Sequence, residues 1–441
     1  MTNYKYKLNM EEALFSQRMC EMKKVLLRLG ILSIVLMVSM GAASPKNPLD
    51  ITQNLPIKDD RGKPWVLKNS SEYKMKWSMT DPSPFQNYEL YEGPKGLMYI
   101  KSFDDLMLVN PLTGSIVWKK PLKTGSELQS TIGSDHTYYR VSSTEGKLLS
   151  KDVYRTNVTR YDVTGTMRTL SSIEMRIVPW SEDSSGFSII DAGDSQGNYL
   201  VISDKGLLSI KPDGTTNWLI GTIPTKDGSL DTTKAQSILT DNEGNIYLKI
   251  DETLVSLSVN GTVNWARNYQ LKNSNTFYYA DGAGILGEYT YSDDFSLQHT
   301  KLYKMTDQGL VQITDPAVIN QRMTNSDRHG GVYTVNDKNN ILTNENYSTG
   351  KPKWTYQLGK FERNSGMSLF SGSLDSDNKG NVYFGTNAGA VYSLDFTGKP
   401  RFVLWMYNND LSYPEIYAVN ENLVVMSINN HVICIEKKTK K

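Results

Sequence analysis

The chain has 441 residues, of which 22% are charged, and its formal net charge at pH 7 is +1. A nearly neutral chain lacks the basic surface that nucleic-acid binding requires, so the composition argues against that function. The length exceeds that of a typical single domain, but a protein built from repeats grows without needing a second core.

Residues 1–43 have the composition of a signal peptide. Lys23, Lys24 and Arg28 precede an apolar run at 29–40, and small residues follow it. This order predicts cleavage after Ala43 and export to the cell envelope or the medium. The run of about twelve apolar residues is shorter than the ~20 that cross a bilayer, and an uncleaved anchor is the alternative. Met22 is an alternative start, because it opens a Met-Lys-Lys sequence.

The positions of the two cysteines argue against a lipid anchor and against a disulfide. Cys20 precedes the apolar run and would leave with the signal, so it cannot carry the lipid of a lipoprotein. Cys434 then stands alone in the mature chain, where no disulfide can form. It occupies a strand position that Ser209, Ser256 and Ser393 hold elsewhere, and burial is therefore expected. After the signal, residues 44–69 are predicted to be an extended N-terminal segment.

A glycine followed four residues later by a tryptophan recurs along the remaining chain. The pairs are Gly114/Trp118, Gly214/Trp218, Gly261/Trp265 and Gly350/Trp354. A phenylalanine replaces the tryptophan in Gly398/Phe402, and degenerate copies at Gly165 and Gly309 keep only the glycine. The spacing of roughly 48 residues, filled with short β segments, is typical of propeller blades. Residues 70–441 are therefore predicted to form one all-β domain.

Each repeat contains four strand patterns, labelled A to D from the axis outward. In the last full repeat, three short apolar segments lie at 380–385, 390–395 and 399–402, and a fourth segment precedes each such set, as at 235–239. The alternation of apolar and polar residues predicts half-buried strands. Asp, Asn and Gly between them tolerate the positive φ of tight turns. Each repeat is thus a four-stranded antiparallel blade.

The two ends of the domain predict how the propeller closes. Residues 415–419, 423–427 and 431–435 align as strands A, B and C, and the chain then ends without strand D. Residues 73–79, which contain Trp77, form an isolated strand with no blade of its own. Together they complete one blade and remove an open sheet edge. Seven full repeats and this composite predict eight blades.

Two repeats depart from the common length and predict a binding face. The second blade, from Gly133 to Gly165, and the fifth, from Gly284 to Gly309, need longer hairpins between strands B and C. Insertions on one face often mark the binding surface of a repeat protein. The fifth hairpin carries the candidate partner-binding residues, which are Tyr289, Tyr291, Asp293 and Asp294.

The repeats resemble those of the quinoprotein-like (PQQ-like) propeller family, whose pattern is an Asp, then Thr-Gly-Lys, then a Trp. Residues 394–399 and 109–118 carry it best, and the resemblance covers about residues 70 to 438. In that family the tryptophan packs between neighbouring blades. The resemblance therefore implies a structural role for Trp77, Trp118, Trp218, Trp265 and Trp354.

Catalytic motifs of several enzyme classes are missing from the sequence. The alcohol dehydrogenases of the resembled family use a disulfide between adjacent cysteines beneath their quinone, which this chain cannot form. The four histidines have no metal-ligand spacing. Residues 375–380 begin like a calcium loop, but Lys379 and Thr386 stand where ligands belong, which favours a turn between strands A and B. No cofactor is expected.

The sequence thus predicts an exported, monomeric propeller that binds a protein or a polysaccharide at the cell surface. Propellers host unrelated activities, so the fold alone does not decide the function. The alternative is an extracellular enzyme, either a quinone-dependent dehydrogenase or a glycosidase. The paired carboxylates of a glycosidase come from distant strands and leave no local motif.

Overall fold

The computed structural model describes the part of the chain that follows residue 50, with gaps at some loops. The described ranges are 51–58, 62–80, 88–122, 127–143, 146–179, 187–226, 228–269, 275–280, 283–291, 297–313, 326–336, 340–346, 349–358, 369–386, 389–406, 414–428 and 430–439. Ile51–Lys441 is one compact unit. The predicted signal peptide lies outside the described residues. Within those ranges no helix is long and apolar enough to span a bilayer.

The described unit consists of β-strands with two short 3-10 helices, Pro94–Gly96 and Thr232–Lys234. The first strands are β1 (Thr52–Lys58), β2 (Pro64–Lys68), β3 (Tyr73–Thr80), β4 (Glu89–Glu92), β5 (Met98–Lys101), β6 (Asp105–Asn110), β7 (Ser115–Pro121), β8 (Glu127–Ile132), β9 (Tyr138–Ser142), β10 (Lys147–Ser150), β11 (Val153–Thr156), β12 (Val158–Tyr161), β13 (Met167–Thr169), β14 (Ile173–Pro179), β15 (Phe187–Ile189), β16 (Asp191–Gly193), β17 (Tyr199–Ser203), β18 (Gly206–Ile210), β19 (Thr216–Ile220), β20 (Thr222–Thr225) and β21 (Gly228–Asp231). The remaining strands are β22 (Ser237–Thr240), β23 (Asn245–Ile250), β24 (Thr253–Ser258), β25 (Val263–Asn268), β26 (Asn275–Ala280), β27 (Ala283–Tyr291), β28 (Leu297–Thr306), β29 (Gly309–Gln312), β30 (Gly331–Asn336), β31 (Ile341–Asn346), β32 (Pro352–Gln357), β33 (Leu369–Ser376), β34 (Val382–Thr386), β35 (Ala390–Leu394), β36 (Pro400–Trp405), β37 (Glu415–Asn420), β38 (Leu423–Ile428) and β39 (His431–Lys437).

These strands form the eight antiparallel blades of a β-propeller, as the repeat predicts. In chain order the blades are β4–β7, then β8, β9, β12 and β13, then β16–β19, β22–β25, β26–β29, β30–β32, β33–β36, and finally β37–β39 with β3. In blade 6, Ser326 bridges to Val332 at the inner edge of the three strands. The fold class predicted from the sequence is confirmed by this sheet order.

The core lies between the blades. Strands B and C of blade 3, β17 and β18, are buried along almost their whole length, and those of blade 7, β34 and β35, are fully buried. Strand D is more exposed, as β7 shows. The alternation predicted half-buried B and C strands, and this expectation is wrong for these blades. Each blade is covered on both faces by its neighbours, so both faces of its inner strands are apolar.

The composite blade predicted from the two chain ends is confirmed. Strand β3 pairs antiparallel with β39 from Tyr73 opposite Lys437 to Thr80 opposite His431, and Trp77 lies opposite the buried Cys434. This blade also contacts blade 1, because the Leu90 N–H donates to a Glu415 carboxylate oxygen at 2.7 Å. Hydrogen bonding to β3 satisfies the edge of β39 that would otherwise be exposed.

The predicted extended segment 44–69 contains a β-hairpin that the sequence did not reveal. Strands β1 and β2 pair with each other, and β2 pairs with β36, so blade 7 is extended to six strands. Trp65 and Leu67 bury their side chains there. Arg401 of β36 joins blade 7 to blade 8, because its guanidinium lies over the ring of Tyr73 at 5.6 Å and donates to the Glu421 carbonyl at 2.6 Å.

The repeated tryptophans lie on the turn between strands C and D of the next blade. The indole N–H groups of Trp77, Trp118, Trp218, Trp265 and Trp354 donate to the carbonyls of Pro111, Val163, Val259, Thr306 and Phe396, at 2.9, 3.2, 3.0, 2.9 and 3.0 Å. At Gly114, with φ +74°, a Cβ atom would lie 2.7 Å from the Trp77 ring. Glycine is needed there both for the backbone conformation and for the approach of the ring.

The turns between strands A and B are built around aspartates. At Asp194, Asp241 and Asp377 the carboxylate accepts the backbone N–H and the side-chain amide of an asparagine four residues later. Asp377 also accepts from Lys379 N–H and the Tyr383 hydroxyl. The sequence 375–380 therefore forms the predicted turn, and the Asp377 carboxylate is occupied by protein donors.

Candidate binding face

The antiparallel order of the strands decides which loops share one end of the propeller. Strand A runs toward its turn with strand B, so the turn between B and C returns to the end at which strand A began. We call this the B–C end. The tryptophan-bound turns between C and D lie at the opposite end, which we call the C–D end. Both elongated hairpins predicted from the sequence belong to the B–C end.

The hairpin of blade 5 is elongated by longer strands rather than by an inserted sheet. Strands β27 and β28 have nine and ten residues, whereas β23 and β24 in the preceding blade have six each. Pairing continues outward to Tyr289 opposite Thr300 and Tyr291 opposite Leu297. Three extra residues extend a strand by about 10 Å. The candidate residues Tyr289 and Tyr291 are therefore in paired backbone, while Asp293 and Asp294 lie outside the described residues.

The insertion of blade 2 forms a second sheet rather than a simple projecting hairpin. Strand β11 pairs with β14, which belongs to the connection between blades 2 and 3, and the resulting side sheet has the order β10-β11-β14-β15. Tyr154 of β11 is buried, with its ring centroid 5.3 Å from that of Phe187. Tyr154 belongs to the same apolar cluster as Tyr139 of blade 2 and Tyr199 of blade 3, so the side sheet packs on the core between these blades and holds β10 at its edge.

Strand β10 is exposed along its whole length. Its four residues, Lys-Leu-Leu-Ser, are all accessible, with Leu148 56% and Leu149 40% exposed. Successive residues of a strand point to opposite faces, so an apolar side chain is accessible on each face of β10. Two adjacent exposed leucines on an edge strand are a feature that folding alone does not require.

A buried group of charged side chains lies where the innermost strands of blades 1 and 2 begin. Lys101 donates to Glu89 at 2.8 Å and to Glu127 at 2.6 Å, and Arg140 lies 3.3 Å from Glu127. The Lys101 and Arg140 side chains are almost fully buried, whereas Glu89 and Glu127 keep 39% and 21% of their side chains exposed, so solvent screens these ion pairs in part. The sequence contained a signal for this group that was missed, namely a cation within the B strand of two adjacent blades, Lys101 in β5 and Arg140 in β9.

Glu415 of blade 8 lies beside this group. Burial, together with the nearby Glu89, raises the pKa of its carboxyl to about 7, although the Leu90 N–H and Lys101 oppose the shift. In blade 3, burial likewise raises the pKa of Asp191 to about 6, against the hydrogen bonds donated by Tyr199, Thr131 and Gln129. Both carboxyls thus change charge near neutral pH.

The histidines and the cysteine are dispersed. His136, His299, His329 and His431 belong to blades 2, 5, 6 and 8, and the described residues contain no group of three or more side chains suited to hold a metal. Cys434 is buried, as the sequence predicts, and burial raises the pKa of its thiol. Its thiolate is therefore scarce at neutral pH.

A cleft of about 530 Å³ lies near the C–D end, between blades 8 and 1. Its lining includes Leu112, Asn420, Lys74 and Lys76. The two lysines bind Glu436 at 3.0 and 2.6 Å. One carboxylate thus balances one of these two positive charges, and Lys437 and Lys438 also line the cleft.

Comparison with known proteins returned structural likenesses alone. No family model and no curated protein matches the chain. BamB from Moraxella catarrhalis is similar over 84% of this chain and 99% of its own, with 13% identity and a TM-score of 0.45. The C-terminal WD40 domain of Sif2 is similar over 83% of this chain and 99% of its own, with 7% identity and a TM-score of 0.47. A third structure is a catalytically inactive virginiamycin B lyase from Staphylococcus aureus, solved with quinupristin. It is similar over 83% of this chain and 99% of its own, with 9% identity and a TM-score of 0.35.

Proposed function

We propose that this chain is an exported propeller of the quinoprotein-like repeat type that works as a protein-interaction scaffold. The observation that carries the proposal is the pair of elongated hairpins at the B–C end, in blades 2 and 5. Each is a paired β structure beyond what the blade needs, and one of them carries exposed leucines. Loops and hairpins held by a rigid scaffold are the usual place for binding residues.

Site-specific photo-crosslinking in the producing cell tests this function. A crosslinking side chain at Leu149 or Thr290 places the probe at the B–C end, and the same probe at Leu112 or Phe396 places it on exposed turns of the C–D end. We expect the same partner band from both hairpin positions and none from the turns. Adducts confined to the C–D end would place the binding site there instead of at the B–C end. The absence of adducts at all four positions would reject the scaffold role.

Export is a separate part of the proposal and rests on the order of residues from Lys23 to Ser44. The mature protein should be recovered from the envelope or the medium with an N-terminus near Ser44. N-terminal sequencing of cytosolic protein that begins at Met1 or Met22 would contradict export. Recovery from membranes alone would favour the uncleaved anchor.

A second candidate function is glycoside hydrolysis, and the carboxyl of Glu415 beside Glu89 favours it. Hydrolases pair a carboxylic acid of raised pKa with a second carboxylate, and the pKa of Glu415 is raised to about 7. Release of reducing sugar from envelope polysaccharides, abolished by Glu415→Gln, would support this function. Dye reduction with added quinone and calcium would instead support the dehydrogenase that the resembled family includes.

A further inference from the structure

Strand β10 presents a backbone edge that no other strand covers in the described part of the chain. Its partner β11 binds one side, in a register that runs from Lys147 opposite Arg155 to Ser150 opposite Val153. The other side ends the side sheet. An edge strand of this kind offers its unpaired N–H and C=O groups to an added strand.

The edge is held rigidly. Strand β11 forms four consecutive pairs with β14, from Val153 opposite Arg176 to Thr156 opposite Ile173. Gly146, just before β10, lies so close to the Tyr154 hydroxyl that an added Cβ would overlap it, so the start of the strand packs on a buried residue of β11. A partner strand therefore meets an ordered edge and pays little for ordering it.

A lysine lies at each end of this edge, and one acidic residue, Asp152, follows the second lysine in the turn to β11. Lys147 begins the strand and Lys151 follows it, and among the described residues neither forms an ion pair. In contrast, Arg155 on the neighbouring strand is paired with Glu174. Lysines beside an edge discourage pairing with a neutral or basic strand and favour an acidic one.

From these features we infer that β10 binds an extended segment of a partner protein, which adds to the side sheet as its fifth strand. The segment has apolar or β-branched residues that cover Leu148 and Leu149, and acidic residues that face Lys147 and Lys151. The inference rests on the proposed scaffold function and names the chemistry of the partner. Backbone pairing supplies the affinity, and the two lysines and two leucines supply the selectivity.

The test uses the mature chain and a synthetic peptide. The peptide has a core of alternating valine and threonine flanked by glutamates, and its binding is measured by fluorescence anisotropy. We expect Lys147→Glu with Lys151→Glu to weaken binding about tenfold and to restore binding of a lysine-flanked peptide. The matched control is Lys351→Glu with Lys399→Glu, which changes the net charge equally on exposed turns of the C–D end and should leave affinity unchanged.

Two further measurements separate strand addition from other contacts. A peptide that carries an N-methyl group on every amide of its core has no N–H to donate from either of its edges and should not bind. Leu148→Ser with Leu149→Ser should also remove binding while circular dichroism stays unchanged. Equal binding of the N-methylated peptide, or binding unaffected by the leucine changes, would overturn the inference. Concentration-dependent dimerisation that the leucine changes abolish would overturn it too, because the occupant would be a second copy.

Failure here is distinguishable from failure of the scaffold function. If the peptide does not bind but the probes at Leu149 and Thr290 still crosslink a common partner, the scaffold function stands and the strand-addition inference falls. If none of the four probe positions gives a crosslinked adduct, the scaffold function is rejected, whether or not the peptide binds.

Discussion

At the scale of single residues, the tryptophan contacts combine two contributions that substitution can separate. Trp265 is 7% exposed and donates its indole N–H to the Thr306 carbonyl at 2.9 Å. The ring fills the space between blades 4 and 5, and the hydrogen bond satisfies a turn carbonyl. Removal of both should cost more than removal of the N–H alone.

We expect Trp265→Ala to lower the free energy of unfolding by about 3–5 kcal/mol, because it leaves a cavity. Trp265→Phe keeps most of the ring volume and should cost about 1–3 kcal/mol. Urea unfolding of both variants measures the difference, with Val311→Ala on the exposed face of blade 5 as the control. Equal losses for Ala and Phe would show that packing of the ring contributes nothing.

Glu415 predicts a pH dependence of stability. Burial raises its pKa from 4.5 to about 7, so the folded state binds the proton more tightly than the unfolded state. The stabilisation from this group is complete below pH 4.5 and is lost as the pH rises toward 7 and above. The loss should be about 2–3 kcal/mol.

Glu415→Gln keeps an oxygen that accepts from the Leu90 N–H and removes the titration. Relative to this variant, the unmodified protein should lose stability in urea unfolding between pH 4.5 and 7.5. The control is Glu243→Gln, whose side chain is 67% exposed. A constant difference between the unmodified protein and Glu415→Gln across this range would contradict the raised pKa.

At the scale of elements, the N-terminal strands have different roles in two blades. Strands β1 and β2 add to the outer edge of blade 7, whereas β3 completes blade 8. A truncation that starts the chain at residue 70 should therefore keep every blade and cost only the packing of the hairpin, including Trp65 and Leu67.

A truncation that starts at residue 80 also removes β3 and exposes the edge of β39 between His431 and Lys437. We expect aggregation or a large drop in melting temperature, because an apolar edge strand is left unpaired. Comparison of the two truncations isolates β3 from the hairpin. Identical melting of both would mean that blade 8 is stable with three strands.

The elements that the repeat predicts are those that recur. The glycine and tryptophan pairs identified the blades, because the same turn and the same inter-blade contact are built each time. The strands outside the repeat are β1, β2, β10, β11, β14, β15, β20 and β21. Their partners are chosen by tertiary contacts, as Tyr154 shows by packing on Phe187, and short segments without a periodic context do not reveal such a choice.

Tertiary pairing was also unpredictable at the candidate binding face, the B–C end. The lengths of the repeats located the two insertions, but the pairing of β11 with β14 could not be derived from spacing. This pairing has a consequence for mutagenesis, because shortening the hairpin between Ser142 and Thr156 would remove the buried Tyr154 and so disturb folding. Surface changes on β10 are the better probe of this hairpin.

At the scale of the whole molecule, the two hairpins are three blades apart at one end of the propeller. A partner that spans both would need to cross the mouth of the central channel, where strand A of each blade begins. Two small partners could instead bind the hairpins separately. The two arrangements predict different results when the hairpins are altered together.

For a single large partner, we expect Leu148→Ser with Leu149→Ser, and separately Tyr289→Ala with Tyr291→Ala, each to weaken binding by about 1–2 kcal/mol. The two changes are far apart, so their effects on one partner should add in the combined variant. Affinity is measured for the crosslinked partner once it is purified, and melting temperatures of all variants serve as the control. If each change affects a different crosslinked protein, the hairpins are independent sites. If the tyrosine changes lower the melting temperature sharply without altering affinity, Tyr289 and Tyr291 belong to the core of blade 5 and the binding face is confined to the side sheet of blade 2.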